Sequence, residues 1–408
     1  MTPNALRALD TLGVGDRVRE LAAFVGDGGL RRPGGGWLSR TSAEAAARRF
    51  GDPTVVVLRA ALVDLLQGLL DPAEIRLGVT VESASLDGTV ATSQGEDGAD
   101  LIVAADGIGS RVRSALFPGH PGPRYTGLTA WSSGSTRSPE ARSTATPPPP
   151  AAPGTNAPDE KAELLRLFGD WHDPIPDLLR RADPARILRN DVCSMPRPLP
   201  ALHSGRVVLL GDAAHPMTPN LGQGAWQAIE DGVTLAHEVT KGVGPAGYTA
   251  ARLARTSAMM RRSRRIGRLT QIRSPLGTAL RDASMWTAGH LGQNLVLRQA
   301  DPIFNWTPPN VSGYEPLGRG RRYGAMRQSI SHARRGPWAA QAKARRPSSL
   351  KATFARVLAW VIRVWLRQPL LRSHKASSPS PAEVRANLPS ASRAMSTRFS
   401  VEVISGRR

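Results

Sequence analysis

The sequence predicts an α/β fold with a parallel sheet, and three features carry that prediction. Ala99-Asp-Leu-Ile-Val-Ala-Ala-Asp-Gly107 and Arg206-Val-Val-Leu-Leu210 each hold a short unbroken apolar run, the pattern of a strand buried on both faces. Each run stops at an acidic residue beside a glycine, at Asp106-Gly107 and at Gly211-Asp212. Long helical stretches follow the second run. With 408 residues the chain has room for roughly two or three domains and a sizeable core.

Composition narrows the class. The single cysteine, Cys193, excludes an internal disulfide framework and a cysteine-based zinc site, and it suits a reducing compartment, so a cytoplasmic protein with no metal site is expected. A hydrophobic share of 40% argues against wholesale disorder. The net charge of +21 is uneven: Val311 to Arg408 holds 20 Lys+Arg against 3 Asp+Glu, and residues 1–310 hold 34 against 30. A nucleic-acid or anionic-membrane partner is therefore an inference about the tail alone. No reader module accompanies the tail, so no specific nucleic-acid recognition is expected. No uninterrupted apolar run reaches the roughly 18 residues of a spanning helix, and Met1-Thr-Pro-Asn4 lacks the layout of an export signal.

Taken in order, the first seventy residues read as helices at Asn4 to Leu12, Asp16 to Phe24 and Arg59 to Leu70, separated by Gly-rich loops. Val79 to Glu82 and Thr89 to Thr92 flank Asp87-Gly88 and read as a hairpin. The buried strand ending at Asp106 follows. Ser132 to Pro158 holds seven prolines in 27 positions with no periodicity and reads as a linker. A helix capped by Asp159 comes next, with Glu160 and Glu163 in its first turn. Then come the strand Arg206 to Leu210, a Pro- and Gly-bearing loop, a helix at about Gly224 to Thr240 and an Arg-rich helix near Tyr248 to Gln271.

The run from Gly205 to Gly232 carries the clearest chemistry. A buried strand delivers Asp212 to the sheet edge where open α/β folds bind ligands, and a carboxylate there accepts hydrogen bonds from sugar-type hydroxyls. Pro216 and Pro219 stiffen the loop, while Gly222 and Gly224 let backbone approach a ligand at a helix start whose unpaired N–H groups favour an anion. For Gly211 to Ala214 alone, an ordinary acidic turn between strand and helix is an equal alternative. His215 invites a proton-transfer role, but a packing or hydrogen-bonding role is the better reading. No catalytic side chain is assigned.

These segments resemble the single-component FAD-dependent aromatic monooxygenases typified by para-hydroxybenzoate and salicylate hydroxylases. Leu210 to Ala225 is similar to the family's second flavin-binding motif, and Asp100 to Arg113 to its Asp-Gly motif. Pro3 to Gly13 and Arg59 to Leu62 match segments that follow the first βαβ unit. The resemblance implies a para-hydroxybenzoate hydroxylase-like, Rossmann-like FAD-binding fold, with FAD and NAD(P)H as cofactors and a small aromatic compound and dioxygen as substrates. Hydroxylation would run through a flavin hydroperoxide. The site residues it implies are Asp212 on the ribityl hydroxyls, Pro219 and Gly222 along the flavin face, the amides of Gly224, Ala225 and Trp226 at the pyrimidine ring, Asp106 and Gly107 at the cofactor, and Arg59 as a cofactor-contacting arginine. Arg59 as a helix-start arginine lying over the core is nearly as good a reading, and Asp106-Gly107 as a plain strand-ending turn also stands.

Two departures qualify the resemblance. The family's strand, Gly-x-Gly-x-x-Gly and helix unit is not found, and Gly13-Val-Gly15 does not replace it because no buried strand precedes it. The match also stops at Trp131 and resumes at Asp159, where strands of the substrate domain are expected. The expected organisation is a partial FAD-binding domain over 1–131, a linker over 132–158 in place of part of the substrate domain, the remainder of both domains over 159–310, and a basic, largely disordered tail over 311–408. Lys351 to Arg372 could form a basic amphipathic helix in weak contact with an anionic membrane, although an unstructured extension is the preferred reading. A non-catalytic flavoprotein remnant, or a basic-tailed binding protein, is the competing function.

Overall fold

The computed structural model describes residues 1–25, 28–133, 153–309 and 402–404. The chain opens with α1 (Pro3–Asp10) and α2 (Gly15–Glu20). Pro3 occupies the first turn of α1, where its missing N–H costs nothing. β1 (Ala22–Val25), the hairpin β2 (Gly28–Arg31) and β3 (Trp37–Thr41), α3 (Ala43–Phe50), β4 (Val55–Val57) and α4 (Arg59–Gln67) follow, with β1 paired antiparallel to β4. β5 (Val81–Ala84), β6 (Thr89–Thr92) and β7 (Gly95–Gly98) make an antiparallel meander.

The sheet that matters for the site is built next. β8 (Leu101–Ala104) leads through α5 (Arg111–Leu116) to β9 (Arg124–Ser133). After α6 (Glu160–Phe168) and α7 (Ile175–Arg181), β10 (Ile187–Ser194) pairs antiparallel with β9. β11 (His203–Ser204) and β12 (Val207–Leu209) form a hairpin, and β12 lies parallel to β8. α8 (Gly224–Thr240), α9 (Pro245–Thr270), α10 (Pro275–His290) and α11 (Gln293–Phe304) complete the body. β13 (Glu402–Ile404) pairs antiparallel with the other edge of β8, so the sheet order is β11-β12-β8-β13.

Two cores result. The larger joins α1 and α4 to β8, β12 and α8: Leu6, Leu9, Leu66, Ile102, Val103, Val208, Leu209, Ile229 and Val233 are all buried. Residues more than 200 positions apart thus share one interior, and each large aliphatic chain buried there contributes about 1.5–3 kcal/mol. The smaller core gathers Trp131, Leu164, Phe168 and Leu179 under the β9–β10 pair. Asp159 caps α6 by accepting from the Lys161 and Ala162 N–H groups at 2.9 and 3.0 Å. Glu160 carries the cap onward by accepting from Trp131 Nε1 at 2.7 Å.

The sequence expectations hold for α1, α4, α6, α8, α9, β8 and β12 and fail between α1 and α4. The helix expected over Asp16 to Phe24 ends at Glu20, and Ala22–Val25 is a strand. The Gly-rich stretch expected as loop contains the β2–β3 hairpin, whose Gly29 backbone lies so close to β3 that a Cβ there would stand 2.2 Å from the Ser39 carbonyl oxygen. The expected hairpin at 79–92 gains a third strand, β7. Most of the linker and tail, including Lys351 to Arg372, lies outside the described residues. Among the described residues, no helix is long and apolar enough to cross a membrane.

Candidate functional site

Parallel pairing of β8 with β12 brings both acidic steps to the same sheet edge. Leu210 N–H donates to the Ala104 carbonyl at 3.0 Å, so Asp106-Gly107 and Gly211-Asp212 leave adjacent strand ends together. Arg113, buried in α5, fastens them: its guanidinium donates to the Ile108 carbonyl at 2.6 Å and to the Ala213 carbonyl at 3.1 Å. Burial lowers the Arg113 pKa, and Asp106 and Asp212 oppose that shift. This arginine ties the two motifs to each other.

Asp212 lies in a single 3-10 turn, Gly211–Ala213, half-buried. From there the chain runs through Pro216 and a second such turn, Pro219–Leu221, to Gly222 at φ +59°, a left-handed conformation that favours glycine. A Cβ at Gly222 would meet no heavy atom within 4 Å, and Pro219 is exposed. At Gly224 a Cβ would stand 3.9 Å from Asp212 Oδ1 and 3.9 Å from Met217 Cγ. The carboxylate therefore lies at the start of α8, with the Met217 side chain beside it.

The start of α8 is built to stay open. Gln223, at the cap position, turns its side chain inward, donating to Thr2 Oγ1 at 3.2 Å and accepting from Asn4 Nδ2 at 3.1 Å, and makes no cap bond. The first-turn amides of Gly224, Ala225 and Trp226 are thus left with the positive end of a 17-residue helix. Those three residues are partly accessible, whereas Gln227 to His237 are all buried.

A charge network holds this helix in place, and sequence reasoning missed it. Arg252 donates to Asp231 Oδ1 at 2.8 Å and Glu230 Oε2 at 2.6 Å, with side chains 0–1% exposed. Arg255 closes a second fork on Glu230, and Asn4 Nδ2 donates to Glu230 Oε1 at 2.7 Å. Asp231 Oδ2 accepts from the Gly211 N–H at 3.1 Å and lies 2.5 Å from His215 Nε2. Burial pushes the Asp231 pKa up, but His215 and Arg252 outweigh it and hold it at about 2. The signal was present as two adjacent acids, Glu230 and Asp231, within the apolar stretch of one helix and arginines three positions apart in the next. His215 is buried in this network, as its packing reading requires.

Of the other expected site residues, Gly107 adopts a left-handed φ of +83° at the end of β8, and Asp106 is buried beside it. Asp106 Oδ2 accepts from the Val112 N–H at 3.4 Å, while Oδ1 is buried with no hydrogen-bond partner. Burial raises its pKa. Arg59 opens α4, half-buried. A dinucleotide with sugar hydroxyls fits these features: an orphaned carboxylate oxygen at Asp106, a second carboxylate at Asp212, and an uncapped helix start beside a glycine cradle.

Comparison with known proteins agrees. The family described as an FAD binding domain matches residues 195–263, which hold Asp212, the loop and α8. Aurachin C monooxygenase/isomerase of Stigmatella aurantiaca is 34% identical over 320 residues, covering 70% of this chain and 82% of that protein. The 3-amino-4-hydroxybenzoate 2-monooxygenase PtnB3 of Streptomyces platensis is 30% identical over 335 residues, covering 71% and 83%. Plant zeaxanthin epoxidases, such as that of Solanum lycopersicum at 33% identity, are matched over only 41% of their length. Among solved structures, Klebsiella pneumoniae HpxO complexed with FAD and uric acid superposes with a TM-score of 0.64 at 23% identity, covering 74% of this chain and 86% of that one.

Proposed function

Because this chain belongs to the single-component FAD-dependent monooxygenases, we propose that it uses NAD(P)H and dioxygen to hydroxylate a small aromatic compound. The observation that carries this reading is the Asp212 carboxylate facing the start of α8, with 3.9 Å between its Oδ1 and the Cβ position of Gly224. When bound, FAD would supply the redox chemistry that couples NAD(P)H oxidation to oxygen transfer.

The protein's own residues bind and orient. Asp212 accepts hydrogen bonds from the ribityl hydroxyls, and Pro219 and Gly222 lie along the ring. The amides of Gly224, Ala225 and Trp226 would meet the pyrimidine edge, where the positive end of α8 would stabilise negative charge on the ring. Asp106 takes a hydroxyl of the cofactor on its free Oδ1, with Gly107 giving the backbone room, and Arg59 contacts the cofactor from α4. The β9–β10 pair with its small core forms the substrate side, and the larger core carries the cofactor.

The test uses the full chain loaded with FAD. NAD(P)H oxidation should accelerate when an aromatic acid such as 3-amino-4-hydroxybenzoate or salicylate is added, and the product should carry one oxygen atom from labelled dioxygen. An FAD-loaded chain that consumes no NAD(P)H across a panel of aromatic compounds would overturn the proposal and leave a non-catalytic flavoprotein.

A further inference from the structure

The loop that fronts the Asp212 cleft has a second face. Met217 points toward Gly224, but Thr218 turns the other way: its Oγ1 lies 2.8 Å from Ser263 Oγ, which in turn donates to the Thr218 carbonyl at 2.6 Å. Behind Thr218, between β9, the end of β10 and the last turns of α9, is a cavity of about 260 Å³. It shares no lining residue with the cofactor contacts proposed above.

Its chemistry is one-sided. Arg124, Arg264 and Arg268 line it, and no aspartate or glutamate does. Arg264 is fixed in place by donating to the carbonyls of Met195 and Pro196. Burial, and then the neighbouring charge of Arg268, lower its pKa, so these two cations sit close enough to repel. Like charges brought together around a hollow without a counter-charge make a site for an anion. Tyr125, Leu128 and Pro196 add apolar wall, and Gln271 is held by donating to the Thr126 carbonyl at 3.2 Å. The volume lies just below the usual range for drug-sized ligands, about 300–1,000 Å³, and suits a compound of one ring.

We propose that this cavity binds the oxyanion of a compact small molecule, a carboxylate or a phosphate, between Arg124, Arg264 and Arg268. The cavity lies against the β9–β10 pair assigned above to the substrate side, so the identity of its ligand rests on that reading, whereas anion binding itself does not. Two sources share this chemistry: an aromatic carboxylate, and the 2′-phosphate that distinguishes NADPH from NADH.

Calorimetric titration of the full chain at low ionic strength, against sodium chloride as the ionic control, tests it with three probes: benzoate, inorganic phosphate, and NADPH paired with NADH. Saturable binding of benzoate alone identifies the carboxylate source. Binding of phosphate, with NADPH preferred to NADH, identifies the nucleotide. In either case the double variant Arg124→Gln/Arg268→Gln should weaken Kd at least tenfold. Both residues are exposed, so the fold should survive, as the circular dichroism spectrum will report. Arg261→Gln, an exposed α9 arginine outside the cavity, should leave Kd unchanged. No saturable binding of any probe, or equal loss in Arg261→Gln and the double variant, overturns the proposal.

Discussion

His215 Nε2 stands 2.5 Å from Asp231 Oδ2, and the same carboxylate oxygen accepts the Gly211 N–H. One buried side chain of α8 thus holds the Gly211–Ala213 turn at its first residue and, two residues beyond its end, at His215. The position of the proposed flavin-holding carboxylate is set by a group that would never touch the cofactor. Arg252 completes the arrangement by neutralising Asp231 from the opposite side.

Asp231→Asn should therefore destabilise the protein by about 3–5 kcal/mol at neutral pH, the usual cost of breaking a buried pair, because Arg252 loses one of its two carboxylates. Urea unfolding measures it. A variant within about 0.5 kcal/mol of the wild type would contradict the network's role.

The same residue gives a pH signature. Its folded pKa, about 2, lies below the ordinary 3.8, so the stabilisation it contributes is complete above about pH 4 and is lost as pH falls through 2. The shift corresponds to about 2 kcal/mol. The stability gap between wild type and Asp231→Asn should shrink by about 1.5 kcal/mol between pH 4.5 and 2.5, with the remainder lost only below that range, and a gap constant over this range would contradict the assignment.

Arg113→Lys should fail to replace arginine, since the ammonium cannot span the carbonyls of Ile108 and Ala213 at once. Expected are a loss of about 2–3 kcal/mol, the worth of a charged hydrogen bond, and weaker FAD binding, because the two strand-end motifs are no longer tied. Denaturation and flavin titration of the purified variant report both.

Phe168→Ala empties the smaller core, where Phe168 meets Trp131 and Trp171 edge to face at 6.4 and 5.1 Å. A cost of about 3–5 kcal/mol is expected, and hydrogen exchange should show it concentrated in β9, β10, α6 and α7. FAD affinity should hold. Loss of protection spread equally into β8 and β12 would show that the two cores unfold as one.

How much of this was legible in the sequence follows from burial and range. β8, β12 and α8 announce themselves because strands covered on both faces are continuously apolar and a long helix keeps its period. Asp212 and Gly224 were readable for the same reason, since both sit just beyond such elements. β2 is exposed at every position, so it carries no apolar alternation, and its glycines read as loop. β1 and β4 are three or four residues long and owe their pairing to contacts some thirty residues apart. The Arg252 network was hidden because α9 reads as a solvated, arginine-rich helix, and only the packing of α9 on α8 turns Arg252 and Arg255 inward. The arginine-lined cavity draws on four separated segments, so no local pattern announces it.

Flavin titration of the full chain beside Asp212→Ala is the most direct measurement. With the carboxylate and the α8 amides acting on one ligand, the wild type should bind FAD at one site per chain, and Asp212→Ala should bind at least tenfold more weakly with its thermal unfolding little changed. Equal FAD affinity in the two proteins, or a folded wild type that takes up no FAD, would contradict the account.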